Sequence, residues 1–180
     1  KIMSVRLTND QPVRDFMGTE LVQKPGLPMA LIPTTAGTGS EVTPNAIVTL
    51  TEEKLKVGIV SRFFLPDLVI LDPKNTVSMP KHVTAATGMD AFIHSLESFI
   101  AKKKNPFSDT FALRSMRLIS KSIRRAFHFG DDLCAREDML VGSMLGGMAL
   151  TASGTAAVHA LAYPLGGSFN IPHGVANSML

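Results

Sequence analysis

Cysteine occurs once in this chain of 180 residues, at Cys134, so an internal disulfide is excluded and the composition suits a reducing, cytoplasmic setting. No uninterrupted apolar run reaches the ~18 residues of a membrane span, which predicts a soluble protein with no membrane partner. Charge is in short supply too: 18 Lys and Arg against 15 Asp and Glu leave a net +3. Basic clusters such as Lys102-Lys-Lys104 and Arg124-Arg125 have no interleaved aromatics, so they read as solvated helix ends and no nucleic-acid partner is expected. A P-loop is missing, and Gly37-Thr-Gly39 does not extend to G-x-G-x-x-G because Val42 stands at the third glycine position. Internal repeats and low-complexity stretches are also missing. The ten Met residues read as core fillers rather than a sulfur-ligand set.

What is present divides in two. Short apolar runs bounded by turn chemistry come first: Pro28-Met-Ala-Leu-Ile-Pro33, Asn45-Ala-Ile-Val-Thr-Leu50, Leu55-Lys-Val-Gly-Ile-Val60 and Pro66-Asp-Leu-Val-Ile-Leu-Asp72. Their length and β-branched content predict strands. After Pro80 helical periods dominate, over about 81–101, 106–127, 133–150 and 153–166. Asn105-Pro106 is a helix-start signal, since Asn can cap and Pro is tolerated in the first turn. Gly142, Ser143, Gly146 and Gly147 weaken the third helix unless another helix approaches closely there. The expected domain boundary lies between residues 79 and 80, with an α/β part over 1–79 and a helical part over 80–180.

Four residues of the helical part carry the chemistry. Asp90 and His94 are four apart in Thr87-Gly-Met-Asp-Ala-Phe-Ile-His-Ser-Leu-Glu97, so on a helix they project from one face. His159 lies in Ala156-Ala-Val-His-Ala-Leu-Ala162, and His173 follows the turn-rich Pro164–Pro172 stretch, so chain reversal can return both rings to the first pair. One carboxylate and three imidazoles make a donor set for a divalent transition ion. The alternative is that each histidine is an ordinary core residue. Against that stand the apolar neighbours Met89, Phe92, Ile93, Val158 and Ile171, among which an unpartnered polar group is costly to bury.

The loop Pro33-Thr-Thr-Ala-Gly-Thr-Gly-Ser40 could present N–H groups and hydroxyls to an anionic or ribose-bearing ligand. It could equally be a plain strand-to-helix turn capped by Thr38 or Ser40. Lys56, between Leu55 and Val57, could hold a ribose hydroxyl or phosphate, or simply snorkel to solvent.

Taken in order, Pro33-Thr-Thr-Ala-Gly-Thr-Gly-Ser-Glu-Val-Thr43, Leu65-Pro-Asp-Leu-Val-Ile-Leu-Asp-Pro73, Thr84-Ala-Ala-Thr-Gly-Met-Asp-Ala-Phe-Ile-His94 and Pro172-His-Gly-Val-Ala-Asn177 resemble the iron-containing (group III) alcohol dehydrogenases, collinearly over essentially the whole chain. The resemblance implies an α/β nucleotide-binding portion followed by an all-α metal-binding domain, the architecture of dehydroquinate synthase, incomplete at both ends. It implies that Asp90, His94, His159 and His173 hold a catalytic Fe(II), with Zn(II) the main competitor. It implies that Thr34, Thr35, Thr43 and Lys56 contact NAD or NADP, with Asn45 and Asn75 beside it. Family members are about twice as long, with a Gly-rich pyrophosphate loop before the position of Lys1. The start at Lys1 and the uncapped apolar end at Ala176-Asn-Ser-Met-Leu180 agree with a partial chain.

The function so implied is hydride transfer between a primary or secondary alcohol, or its aldehyde or ketone, and the dinucleotide, in a homodimer. The ion acts there as a Lewis acid. One position departs from many relatives, in which a further His follows the third ligand by four; here it is Tyr163, a weaker base at neutral pH. Tyr163 is therefore the candidate catalytic residue facing the substrate. Two rivals remain. A sugar-phosphate cyclase related to dehydroquinate synthase would need basic residues near the ion, and no Lys or Arg lies between His159 and His173. A catalytically silent helical module would use the histidines structurally.

Overall fold

A computed structural model describes residues 1–53, 55–169 and 171–180, and the side chains of residues 163–168 lie outside that description. The chain folds as two compact units, Lys1–Leu31 with Ser40–Ile70, and Ile32–Gly39 with Leu71–Leu180.

Among the described residues the first unit contains a short helix α1 (Ile2–Arg6) and five strands: β1 (Gly18–Thr19), β2 (Ala30–Leu31), β3 (Asn45–Leu50), β4 (Leu55–Val60) and β5 (Leu68–Val69). The β3–β4 hairpin is antiparallel, with Thr49 opposite Lys56, and β4 also pairs in parallel with β1. Its apolar residues close over a core of Val5, Phe16, Val22, Ile59 and Phe64. The expected strands at 45–50 and 55–60 are found residue for residue, whereas the runs at 28–33 and 66–72 shrink to the two-residue parallel pair β2 and β5. Prolines 28, 33, 66 and 73 bracket that pair. Each lacks a ladder donor, so pairing cannot spread past them.

The second unit is helical: α2 (Lys81–Ile100), α3 (Pro106–His128), α4 (Leu133–Ser153), α5 (Ala157–Phe169) and α6 (His173–Met179). α2, α3 and α4 pack mutually around Ala91, Ile119, Ala126, Ala135, Met139 and Leu140. The glycines of α4 admit the close approach that the sequence demands. A Cβ on Gly142 would stand 2.8 Å from Ile119, and one on Gly146 would stand 2.8 Å from the Ser95 hydroxyl. Ser115 completes the seam, accepting from Ser95 Oγ at 2.6 Å and donating to the Gly142 carbonyl at 2.6 Å. Gly39 takes φ +58 against the backbone of Ser143 and Gly147. The glycines of the Thr-Gly-rich loop thus have a packing explanation inside this unit.

The start of α3 is a capping box: Asn105 Oδ1 accepts from the N–H groups of Phe107 and Ser108, and Ser108 Oγ accepts from the Asn105 N–H. Asn105→Ala should lower stability by about 1–2 kcal/mol, read as a shift in denaturation midpoint with unchanged m-value. The helix expected at 153–166 begins four residues later, because Gly154 at φ +79 ends α4 and the chain must turn before α5.

Candidate metal centre

One stripe of α2 carries the first half of the site. Asp90, His94 and Glu97 occupy positions i, i+4 and i+7, which superpose on one face of a helix, and all three are buried. α5 brings His159, also buried, and the short α6 packs on α2 and brings His173 and, one turn on, Asn177. Gly174 makes that docking possible, since a Cβ there would lie 2.2 Å from the Ala86 carbonyl oxygen of α2.

Asp90, His159 and His173 each offer a ligand atom, and these atoms all lie within 4.8 Å of one another. Asp90 Oδ1 is 3.7 Å from His159 Nε2 and 3.7 Å from His173 Nε2. His94 stands beside this trio rather than in it: its ring stacks on His159 at 4.4 Å between centroids, and its Nδ1 faces the other Asp90 oxygen at 4.0 Å. Chain reversal therefore brings three of the four expected ligand residues together and leaves the fourth in van der Waals contact. Tyr163, the expected catalytic residue, has its side chain outside the described residues.

Burial pushes the His94 imidazole down to about 4, overriding the nearby Asp90 carboxylate, so the ring is neutral at physiological pH. Burial would also lower His159, but the Asp90 and Glu97 carboxylates outweigh it and hold that imidazole above its ordinary value. For Asp90, burial is opposed by His159, His94, His173 and Asn177, and the carboxyl ends below the usual range.

The donor chemistry fits a divalent cation. Glu97 Oε2 accepts from His159 Nδ1–H, which leaves the Nε2 lone pair of His159 for the centre. Asn177 Nδ2, the only kind of atom on that side chain with hydrogens to give, lies 2.6 Å from Asp90 Oδ1 and 3.2 Å from both His159 Nε2 and His173 Nε2. Asp90 Oδ1, His159 Nε2 and His173 Nε2 thus converge on one point, beside which Asn177 Nδ2 lies. Among the described residues His94 Nδ1 is buried with no hydrogen-bond partner, a cost that coordination would remove.

The six residues expected to meet a dinucleotide fall in different units. Thr43, Asn45 and Lys56 belong to the first, and Thr34, Thr35 and Asn75 to the second. Thr34, Thr35, Lys56 and Asn75 are exposed. Thr43 is buried, and its hydroxyl donates to the Ser40 carbonyl at 3.3 Å. The Lys1 ammonium donates to the carbonyls of Thr43 at 2.6 Å and Asn45 at 3.0 Å, and to that of Ser40, tying down the loop that presents both residues.

Sequence reasoning missed Glu97 and Asn177. The signal was spacing: Glu97 lies seven residues after Asp90, and Asn177 lies four after His173.

Two family descriptions match the chain, iron-containing alcohol dehydrogenase over residues 1–73 and the C-terminal part of the iron-containing alcohol dehydrogenase family over residues 84–180. Long-chain-alcohol dehydrogenase 1 of Geobacillus thermodenitrificans is 46% identical over all of this chain and 46% of its own length. Among solved structures, a 1,3-propanediol oxidoreductase superposes with a TM-score of 0.93 at 41% identity, covering 98% of this chain and 46% of that one. A sulfoacetaldehyde reductase from Bifidobacterium kashiwanohense in complex with NAD+ gives a TM-score of 0.89 at 37% identity, over 98% of this chain and 47% of that one. The chain therefore spans about half the length of the relatives it matches.

Proposed function

The chain belongs to the iron-containing alcohol dehydrogenase family, and on that premise we propose that the protein carrying it transfers a hydride between an alcohol and NAD or NADP. The substrate is a primary or secondary alcohol, or the corresponding aldehyde or ketone in reverse. The observation that carries this reading is the convergence of Asp90, His159 and His173 on one point, with neutral His94 against them.

These four residues are the proposed holders of a divalent ion, Fe(II) by family and Zn(II) by donor chemistry. When bound, the ion supplies Lewis-acid polarisation of the alcohol oxygen. The alcohol carbon gives a hydride to the nicotinamide ring and its oxygen gives up a proton. Tyr163, four residues after His159, is the proposed hydrogen-bond partner for that oxygen on the proton's way to solvent. Thr34, Thr35, Thr43, Asn45, Lys56 and Asn75 are the proposed dinucleotide contacts. Among them, exposed Lys56 offers a cation for a ribose hydroxyl or phosphate. The proposed division of labour is the α/β part over 1–79 for the dinucleotide and the helical part over 80–180 for the ion. The single exposed Cys134 supports a cytoplasmic setting, and no helix among the described residues is long and apolar enough to cross a membrane. A homodimer is the proposed assembly, from family membership.

The test is an anaerobic Fe(II) and Zn(II) titration of the full-length protein, coupled to cofactor absorbance over a panel of alcohols. The panel includes long-chain alcohols and 1,3-propanediol, which the relatives' names mention. Net NADH or NADPH formation is expected, whereas a cyclase would return its cofactor unchanged. His159→Ala should abolish turnover and weaken metal retention beyond the roughly 10–100-fold typical of outer-shell losses. Unchanged activity in that variant would overturn the dehydrogenase reading.

A further inference from the structure

Glu97 is the most completely buried carboxylate beside the centre, with 1% of its surface exposed. An ionised side chain in that position needs hydrogen bonds on both oxygens, and it has them. Oε1 accepts from the Val158 N–H at 2.6 Å, and Oε2 accepts from His159 Nδ1–H. The two donors are adjacent in sequence, at the start of α5, so one carboxylate of α2 seizes the first turn of α5 and the imidazole that turn carries.

We propose that Glu97 is a positioning residue that holds His159 in the tautomer with a free Nε2 lone pair and aims that nitrogen at the point shared with Asp90 and His173. This inference rests on the metal-centre reading given above. A neutral imidazole offers one lone pair, and the side on which it lies is set by what the other nitrogen bonds. Because an ionised carboxylate only accepts, Nδ1 must carry the proton and Nε2 must face the ion.

The chemistry of the two donors makes the role separable from mere packing. In Glu97→Gln the side chain keeps its shape but loses one acceptor. If the amide oxygen keeps the Val158 N–H, its NH2 group faces His159 Nδ1 and forces the proton to Nε2, where it blocks the ligand position. If the amide turns over, its NH2 group confronts the Val158 N–H, donor against donor. No orientation of glutamine satisfies both neighbours, and only a carboxylate can. Glu97→Asp retains two acceptors one methylene further back.

The experiment uses the full-length protein with Zn(II) and Co(II) as probes. Chelator competition should show Zn(II) affinity falling in the order wild type, Glu97→Asp, Glu97→Gln, with the last weakened by about 10–100-fold. The visible absorption of the Co(II)-loaded protein should change in Glu97→Gln while its far-ultraviolet circular dichroism does not. In zinc-loaded wild type, the 15N spectrum of His159 should show a protonated Nδ1 and a metal-bound Nε2, a readout that stands even where a variant fails to fold. Wild-type affinity and Co(II) absorption in Glu97→Gln, or a zinc-bound Nδ1 in wild type, would overturn the role of Glu97 and leave the metal centre intact. Failure of the wild-type protein to bind either ion would remove the metal-centre reading itself.

Discussion

Replacing Gly174 by alanine is expected to disable the metal centre although the new methyl group touches no ligand. Alanine is ordinarily the better helix former by about 1 kcal/mol, and α6 gives position 174 helical geometry, so propensity alone predicts stabilisation. Sterics reverse the sign. The added Cβ would stand 2.2 Å from the Ala86 carbonyl oxygen and 2.7 Å from its carbon, and these are backbone atoms of α2 that no rotamer change can remove. α6 must retreat by close to an ångström to restore contact distances, and His173 is the neighbouring residue. Overpacking of this kind costs about 1–3 kcal/mol of stability, but the larger effect falls on the ion. Ligand distances tolerate only about 0.2 Å, and a misplacement of ~1 Å costs on the order of a hundredfold in turnover. Zn(II) competition and alcohol-dependent cofactor reduction should therefore both fall by about two powers of ten. Gly58→Ala is the matched control, because its Cβ would meet only the Ile47 side chain at an ordinary 3.6 Å and should change stability by no more than about 1 kcal/mol. Full metal retention in Gly174→Ala would mean that the close α2–α6 approach is not what places His173.

The same contact explains why the site was only partly legible in the sequence. Asp90 and His94 could be paired from their spacing because helical period is a local property, and α2 is a 20-residue helix with the ligands in its middle. The long helices and the β3–β4 hairpin were readable for the same reason. By contrast α6 has seven residues, a length at which propensity decides little, and it exists because Gly174 lets it lie on α2. Asn177 enters the centre only through that docking. Glu97 was visible as a residue on the ligand stripe, but its meaning depends on a partner 62 positions away on α5. His94 shows the converse limit. Spacing puts it one turn from Asp90, yet stacking on His159 turns it beside the cluster, and ring orientation has no signature in spacing. The truncation of β2 and β5 was set by prolines that the apolar content of those runs outweighed in the strand expectation.

Asp90→Asn should separate a metal ligand from a structural carboxylate, because only a ligand makes the response to zinc depend on this charge. The substitution keeps size and shape while removing the only negative charge in the donor set. Stripping one partner from a buried charge pair costs about 3–5 kcal/mol, which at ~1.4 kcal/mol per tenfold predicts Zn(II) affinity lower by about two to four powers of ten. Turnover should fall with it. Metal-free stability should fall as well, since the amide keeps the carboxylate's shape but not the attraction of His159, His94 and His173 that holds the Asp90 carboxyl below its usual range. Its oxygen, in the place of Oδ1, accepts from Asn177 Nδ2 across 2.6 Å. Its NH2 group, in the place of Oδ2, lies 4.0 Å from His94 Nδ1, an atom with no hydrogen-bond partner among the described residues. Thermal denaturation after chelation should thus give a midpoint below that of chelated wild type, and added Zn(II) should raise the wild-type midpoint, in proportion to the logarithm of its concentration over the dissociation constant, far more than that of the variant. A buried carboxylate kept only for the fold would give the lowered midpoint in chelator with an unchanged response to zinc. That pattern would dismiss Asp90 from the centre, and with it the geometric basis for placing an ion among His94, His159 and His173.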